Sequence, residues 1–186
     1  MTRIGRAFVA VEPPDGILDA VAARVDRCAA ARATLRWTRR SQWHVTLQFL
    51  GAVDDTGSLE DALREAMRAV PPMTARLGGG GAFPQPRRGS VLWLGIVEGA
   101  AELGALAAAV TSATATAGFE SERRPFRPHI TLARSRDTAD LRPIVDALGE
   151  EPVGPAWRVE DVVLLASETR PEGARYSEAG RFGLRG

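Results

Sequence analysis

Between Gln42 and Phe49 the chain alternates strictly: Gln42, His44, Thr46 and Gln48 are polar, whereas Trp43, Val45, Leu47 and Phe49 are apolar. A period of two predicts a half-buried strand, ended here by Gly51, with one face against a core and the other open. A shorter run, Pro128 to Ala133, repeats the pattern, placing Ile130 and Leu132 inward and His129, Thr131 and Ala133 outward. Upstream, Ala7 to Val11 reads as an opening strand. Pro13, Pro14 and Asp15 then start a helix reaching to about Ala31, on which Leu18, Val21, Val25 and Cys28 share a face.

A short strand over Leu35 to Thr38 precedes the first histidine strand. Ser58 and Asp61 have capping-box spacing for a second helix with Leu59, Leu63, Met67 and Val70 on one side, stopped by Pro71 and Pro72. Met73 to Leu77 reads as a strand running into a mobile hairpin loop, Gly78 to Gly81 with Pro84 and Pro86, and Val91 to Val97 as the returning strand. The second half repeats this logic: a helix with Leu103, Leu106 and Val110 ending near Gly118, the second histidine strand, a short helix from Asp140 to Leu148, and two antiparallel strands, Trp157 to Ser167 and Arg175 to Phe182. Helices on one side of antiparallel strands predict an α+β fold in which two sheets, or two halves of one structure, each present a histidine.

The chemistry of the chain concentrates on those two strands. His44 and His129 are its only histidines, and each opens the same phrase, His44-Val45-Thr46-Leu47 and His129-Ile130-Thr131-Leu132. Within a strand each histidine shares a face with its threonine. Imidazole can take or give a proton near neutrality, and a threonine hydroxyl is a compact donor to an anionic oxygen. Two such pairs facing one cleft would supply a general base, a general acid and two phosphate donors.

Composition narrows the alternatives. Cys28 is the sole cysteine, which rules out an internal disulfide and cysteine-based zinc sites. All 24 basic side chains are arginine, so a Walker A lysine and a Schiff-base lysine are excluded. The glycine run lacks the last glycine of a dinucleotide fingerprint, since Phe83 stands there, and two histidines without an acidic cluster argue against a catalytic metal. The net charge of +1 predicts local rather than enveloping contact with a nucleic acid. The N-terminus shows no signal-peptide core and no apolar stretch is long enough to span a bilayer, so a cytoplasmic protein of one domain, residues 1–186, is expected.

With these residues placed, the sequence resembles the two-histidine (2H) phosphoesterases, and among them the bacterial LigT-like RNA 2′,3′-cyclic phosphodiesterases of the 2′-5′ RNA ligase family. The resemblance rests on the two HxT phrases together with RAFVAVEPP from Arg6, HVTLQFLG from His44, VLWLG from Val91, RPFRPHITLAR from Arg124 and LLASETRPEGARY from Leu164. It implies a bilobal, pseudo-twofold fold with a central cleft. It also implies opening of a terminal ribose 2′,3′-cyclic phosphate to a 2′-phosphomonoester without cofactor or metal, by a monomer acting on RNA ends or small cyclic-phosphate nucleotides. On this resemblance His44 protonates the departing 3′ oxygen, His129 activates water, and Thr46 and Thr131 hold the non-bridging oxygens. Arg134 matches a family arginine near the phosphate, although strict alternation places it opposite His129 and Thr131. Phe49 is a base-stacking candidate by resemblance and a core residue by alternation. Arg124 and Arg127 beside the second motif are candidates for RNA phosphates, or solvated surface groups. A 2′-5′-linked oligonucleotide, an ADP-ribose cyclic phosphate, and an RNA-end binding module without turnover remain as other readings of the same pocket.

Overall fold

The computed structural model describes residues 3–28, 35–120, 124–170 and 173–186. Its elements run β1 (Ile4–Val11), α1 (Asp15–Asp26), β2 (Arg36–Trp37), β3 (Val45–Val53), α2 (Thr56–Met67), β4 (Met73–Phe83), β5 (Gly89–Glu98), α3 (Ala100–Thr116), β6 (His129–Ala139), α4 (Arg142–Leu148), β7 (Pro152–Val159), β8 (Asp161–Arg170) and β9 (Gly173–Gly183). The fold class is α+β, as expected. All strand pairings are antiparallel, in the order β7-β4-β5-β6-β3-β1-β8-β9, with β2 on β6.

The two expected sheets are therefore two groups of four strands, and they meet at the histidine strands. Their joint is one residue pair, Val45 opposite Ile130. Beyond it β6 turns to β2, where Trp37 pairs Ala133 and Arg36 pairs Arg134. Thr38 secures that junction: its amide donates to the Leu132 carbonyl, its hydroxyl lies 2.8 Å from the carbonyls of both Thr131 and Leu132, and it accepts from Trp43 Nε1 at 2.9 Å. The short strand expected from Leu35 to Thr38 thus acts as a wedge between the halves.

One face of the strands carries the main core. Val9, Val45, Leu47, Leu92, Leu94, Ile130 and Leu132 pack there with Leu59, Leu63 and Met67 of α2 and Leu103, Leu106 and Val110 of α3. On α1 the buried stripe is Ile17, Val21 and Val25, with Leu18 only partly covered; Cys28 is buried just past the helix end, and the expected extension to Ala31 lies outside the described residues. The opposite face bears a small second cluster, Phe8, Ala10, Val163 and Leu165, with Tyr176 against it.

The structure corrects several boundaries. Helix α2 starts before Ser58: Asp55 is its N-cap, accepting from the Gly57 amide at 3.1 Å, so Ser58 and Asp61 lie inside the helix and Val70 beyond its end. The expected strand from Trp157 to Ser167 is two strands, β7 ending at Val159 and β8 starting at Asp161. β6 continues past Ala133 to Ala139.

Gly78 to Gly81 form no hairpin loop. They continue β4, and the missing side chains make room for neighbours: a Cβ on Gly81 would lie 2.1 Å from the Trp93 ring, and one on Gly80 would lie 2.8 Å from Leu148 Cβ. Gly81 thus leaves a flat seat on which the ring of Trp93, its partner on the neighbouring strand, lies, while Gly80 makes room for Leu148. Gly81→Ala should therefore displace the indole and cost about 1–3 kcal/mol through overpacking. Gly104→Ala, where a new Cβ on helix α3 meets nothing within 4 Å, should instead add roughly 0.5–1 kcal/mol. Urea unfolding of both variants checks the contrast; equal and small effects would show that the indole does not need the glycine.

Candidate active site

Both histidines face away from the helices. His44 lies just ahead of β3, its ring stacked on Phe8 with centroids 4.7 Å apart and an interplanar angle of 30°, and Tyr176 presents an edge to it at 5.2 Å. Phe8 belongs to the small cluster on the helix-free face, which fixes the side His44 occupies. His129 begins β6. Phe83 meets it edge-on at 5.0 Å and Trp93 lies tilted at 6.1 Å. Each imidazole is thus walled by two aromatic rings from its own half of the strand order.

The threonines follow by register. Thr46 is paired with Ala10 of the helix-free cluster, and Thr131 with Trp93. Directly opposed residues of antiparallel strands point to the same side. Thr46 therefore shares the face of His44 and Phe8, and Thr131 that of His129 and Trp93.

Immediately after each threonine the period of two is broken. On β1, Val9 pairs Gln48 while Ala10 pairs Thr46, so Leu47 is an extra residue in β3. On β5, Leu92 pairs Ala133 while Trp93 pairs Thr131, so Leu132 is the extra residue in β6. A bulge of this kind keeps two successive side chains on one side and reverses every residue after it. Leu47 and Gln48 are both buried, as are Leu132 and Ala133. Gln48 is 5% exposed and accepts from the buried Thr114 hydroxyl of α3 at 2.7 Å, whereas Phe49 is 52% exposed and packs on Phe8 at 5.9 Å.

Phe49 is consequently not a core residue; alternation fails there, and the side chain joins the histidine face. Arg134 holds the equivalent place, five residues after its histidine, and the same correction applies. Its positive charge reaches both histidines and adds to the lowering of their pKa by burial, whereas at Tyr176 burial raises the pKa and the charge of Arg134 only opposes that rise. Of the residues singled out in the sequence, His44, His129, Thr46, Thr131, Phe49 and Arg134 all share this face. Arg127 sits with its guanidinium 5.4 Å from the Trp93 ring centroid, while Arg124 is exposed. The sequence reading missed Phe8, Phe83, Trp93 and Tyr176. The signal for Phe8 was available in β1, where both faces of an Ala-Phe-Val-Ala-Val run are apolar although helices cover only one.

Burial dominates the electrostatics. It pushes the His44 pKa from 6.5 down to about 4, with positive charge at His129 and Arg134 adding to the fall; the Gln42 carbonyl opposes it, although His44 Nδ1 makes no hydrogen bond of standard geometry. The His129 pKa is lowered by the same desolvation, opposed by the Arg127 carbonyl 2.7 Å from Nδ1. Because a carbonyl only accepts, neutral His129 carries its proton on Nδ1 and keeps the Nε2 lone pair.

These shifts act on stability. Between pH 6.5 and about 4 the unfolded chain binds a proton at His44 that the folded chain refuses, so this contribution is complete above the unfolded pKa and is lost as pH falls. Removing the imidazole in His44→Gln should flatten the acid slope of stability by on the order of 2 kcal/mol across that window. Urea midpoints at a series of pH values measure it, and an unchanged slope would contradict the burial of His44.

The chain is similar to known proteins in both sequence and fold. The sequence profile of the 2′-5′ RNA ligase superfamily matches residues 13–171. An RNA 2′,3′-cyclic phosphodiesterase of Methanothermobacter thermautotrophicus is 31% identical over 184 residues, covering 96% of this chain and 98% of that one. Among solved structures, TT0787 of Thermus thermophilus superposes with a TM-score of 0.77 at 29% identity, covering 97% of this chain and 98% of the other. LigT of E. coli complexed with 3′-AMP gives 0.74 at 28% identity, with coverage of 97% and 98%. On sequence and fold together, the chain belongs to the 2′-5′ RNA ligase superfamily.

Proposed function

We propose that this protein is an RNA 2′,3′-cyclic phosphodiesterase that opens a terminal cyclic phosphate to a 2′-phosphomonoester without a metal. The observation that carries this reading is the pair of HxT strands, adjacent in the strand order and facing one side, with both imidazoles desolvated and the charge of Arg134 reaching both. Relatives named RNA 2′,3′-cyclic phosphodiesterase and the 3′-AMP complex of LigT support the substrate class.

In this mechanism His129 Nε2 takes a proton from water as the water oxygen attacks phosphorus. The P–O3′ bond breaks opposite the attacking oxygen, and His44 delivers a proton to the departing 3′ oxygen. Thr46 and Thr131 hold the non-bridging oxygens, and Arg134 balances their negative charge. Phe49, exposed beside Phe8, offers a ring face for a base. In this reading the acid, the base and the cationic donor are His44, His129 and Arg134, side chains of the protein itself.

His44 is neutral at pH 7 in the empty site and must gain a proton to act as the acid. An anionic phosphate beside it favours the imidazolium and raises the pKa again. The pH optimum of kcat/KM, which reports the free enzyme, should thus lie on the acid side of 6.5, and that of kcat should lie higher. Activity should persist in EDTA. Coincident optima above pH 7, or a loss in EDTA reversed by added divalent metal, would count against this account.

His44→Ala and His129→Ala should each reduce kcat by on the order of a hundredfold or more while remaining folded. A substrate with a much better 3′ leaving group should rescue His44→Ala and leave His129→Ala impaired. Mapping the product end of a cyclic-phosphate-terminated oligonucleotide should show a 2′-phosphate. Equal rescue would overturn the division of roles, and a 3′-phosphate product would reverse the orientation of the ring.

A further inference from the structure

A cavity of about 430 Å³ opens beside His44, on the far side of Tyr176, and the chemistry above does not use it. Arg39, Arg170 and Arg175 line it, with Ser41, Gln42 and Tyr176. Gln42, two residues before His44, donates from Nε2 to the Ala174 carbonyl at 2.7 Å and so ties the start of β9 to the turn that leads into the histidine strand. The cavity therefore begins one side chain away from the imidazole, on a wall held by a specific hydrogen bond.

Its charge is unbalanced. Arg170 is paired with Glu168 at 2.8 Å, and Glu168 is also the cross-strand neighbour of Arg175. Neither Arg39 nor Arg175 forms a salt bridge among the described residues. The larger cavity next to it, about 920 Å³, shares Arg39 and Ser41 with it, but its other arginines are paired: Arg40 with Asp15 and Asp19, Arg158 with Glu160, and Arg181 with Glu12 and Asp161. Three arginines facing the single carboxylate of Glu168 among the described residues, around a concave polar site next to the proposed phosphoryl-transfer centre, favour a second anion.

We propose that this pocket is the subsite for the internucleotide phosphate on the 5′ side of the terminal nucleotide, so that the protein selects oligonucleotide ends over cyclic mononucleotides. The proposal rests on the assignment of the cyclic phosphate to His44 and His129. With that group between the imidazoles, the next anion of an RNA strand lies one nucleotide away, and the adjacent arginine pocket lies within a neighbouring side chain of His44. A mononucleotide has no charge to place there.

The test compares adenosine 2′,3′-cyclic phosphate with a trinucleotide ending in the same group, using wild type, the double variant Arg39→Gln/Arg175→Gln, and Arg68→Gln as a remote change of charge on an exposed arginine. The double variant should lose at least tenfold more kcat/KM on the trinucleotide than on the mononucleotide, and its dependence of log(kcat/KM) on log[salt] should become shallower by about one. Arg68→Gln should show no such difference between substrates. Equal losses on both substrates, or a wild type without preference for the trinucleotide, would overturn the subsite and leave the hydrolytic reading intact. Fluorescence anisotropy with a labelled trinucleotide bearing a 2′-phosphate reads the pocket without turnover. If wild type hydrolyses neither substrate, the hydrolytic reading fails; weaker binding by the double variant then still supports the pocket, and unchanged binding overturns it.

Discussion

The site depends on a break in strand periodicity that occurs twice. A regular strand would set His, Thr and the second residue after Thr on one face. Gln48 would then face the site in β3 and Ala133 in β6. The extra residues Leu47 and Leu132 instead turn Gln48 and Ala133 toward the helices and bring Phe49 and Arg134 to the histidines. Gln48 is compensated on the core side by Thr114, whose hydroxyl satisfies its carbonyl oxygen in an otherwise apolar layer. The same irregularity therefore delivers a cation to one strand, an exposed ring to the other, and a satisfied polar contact between β3 and α3.

Placing the two strands next to each other couples the sites. Their single paired position, Val45 with Ile130, and the wedge formed by β2 keep the halves in contact while letting the strands diverge. Divergence leaves room on the open face for aromatic walls from both sides: Phe8 and Tyr176 at His44, Phe83 and Trp93 at His129. These rings do more than shape the surface. By excluding water they depress both histidines, and Arg134 adds to the effect, so the empty site resists protonation, and a negative charge brought beside the rings would favour the imidazolium.

Arginine serves several roles in a chain that has no lysine. Some guanidinium groups bind carboxylates and stabilise the surface only slightly, as around Arg181 and Arg142. Others tie elements together: Arg24 donates to the Leu148 and Pro152 carbonyls and joins α1 to the end of α4 and the edge strand β7. Arg134 faces the histidines, and Arg39, Arg170 and Arg175 line the pocket beside them, where Glu168 pairs with Arg170 and lies across the strands from Arg175. Location and pairing, not residue type, separate these uses.

Local pattern was enough for the elements whose information lies in adjacent residues. The alternation around His44 and His129, the apolar stripes of α2 and α3, and the repeated HxT phrase were legible because a strand or helix imposes a short period on the side chains it buries, and these led to the α+β fold and to four residues of the site. Their flanking phrases led to the family. What depends on register between distant strands was not legible. The bulges at Leu47 and Leu132 exist because β1 and β5 pair around them, so the faces of Phe49 and Arg134 could not be read from β3 and β6 alone. Gly78 to Gly81 looked like a loop because local propensity disfavours glycine in a strand, whereas the deciding contact, the Trp93 ring lying over Gly81, comes from a residue twelve positions later. Phe8, Phe83, Trp93 and Tyr176 are brought to the histidines by tertiary pairing, and the site's desolvation exists only once those rings have been assembled around it.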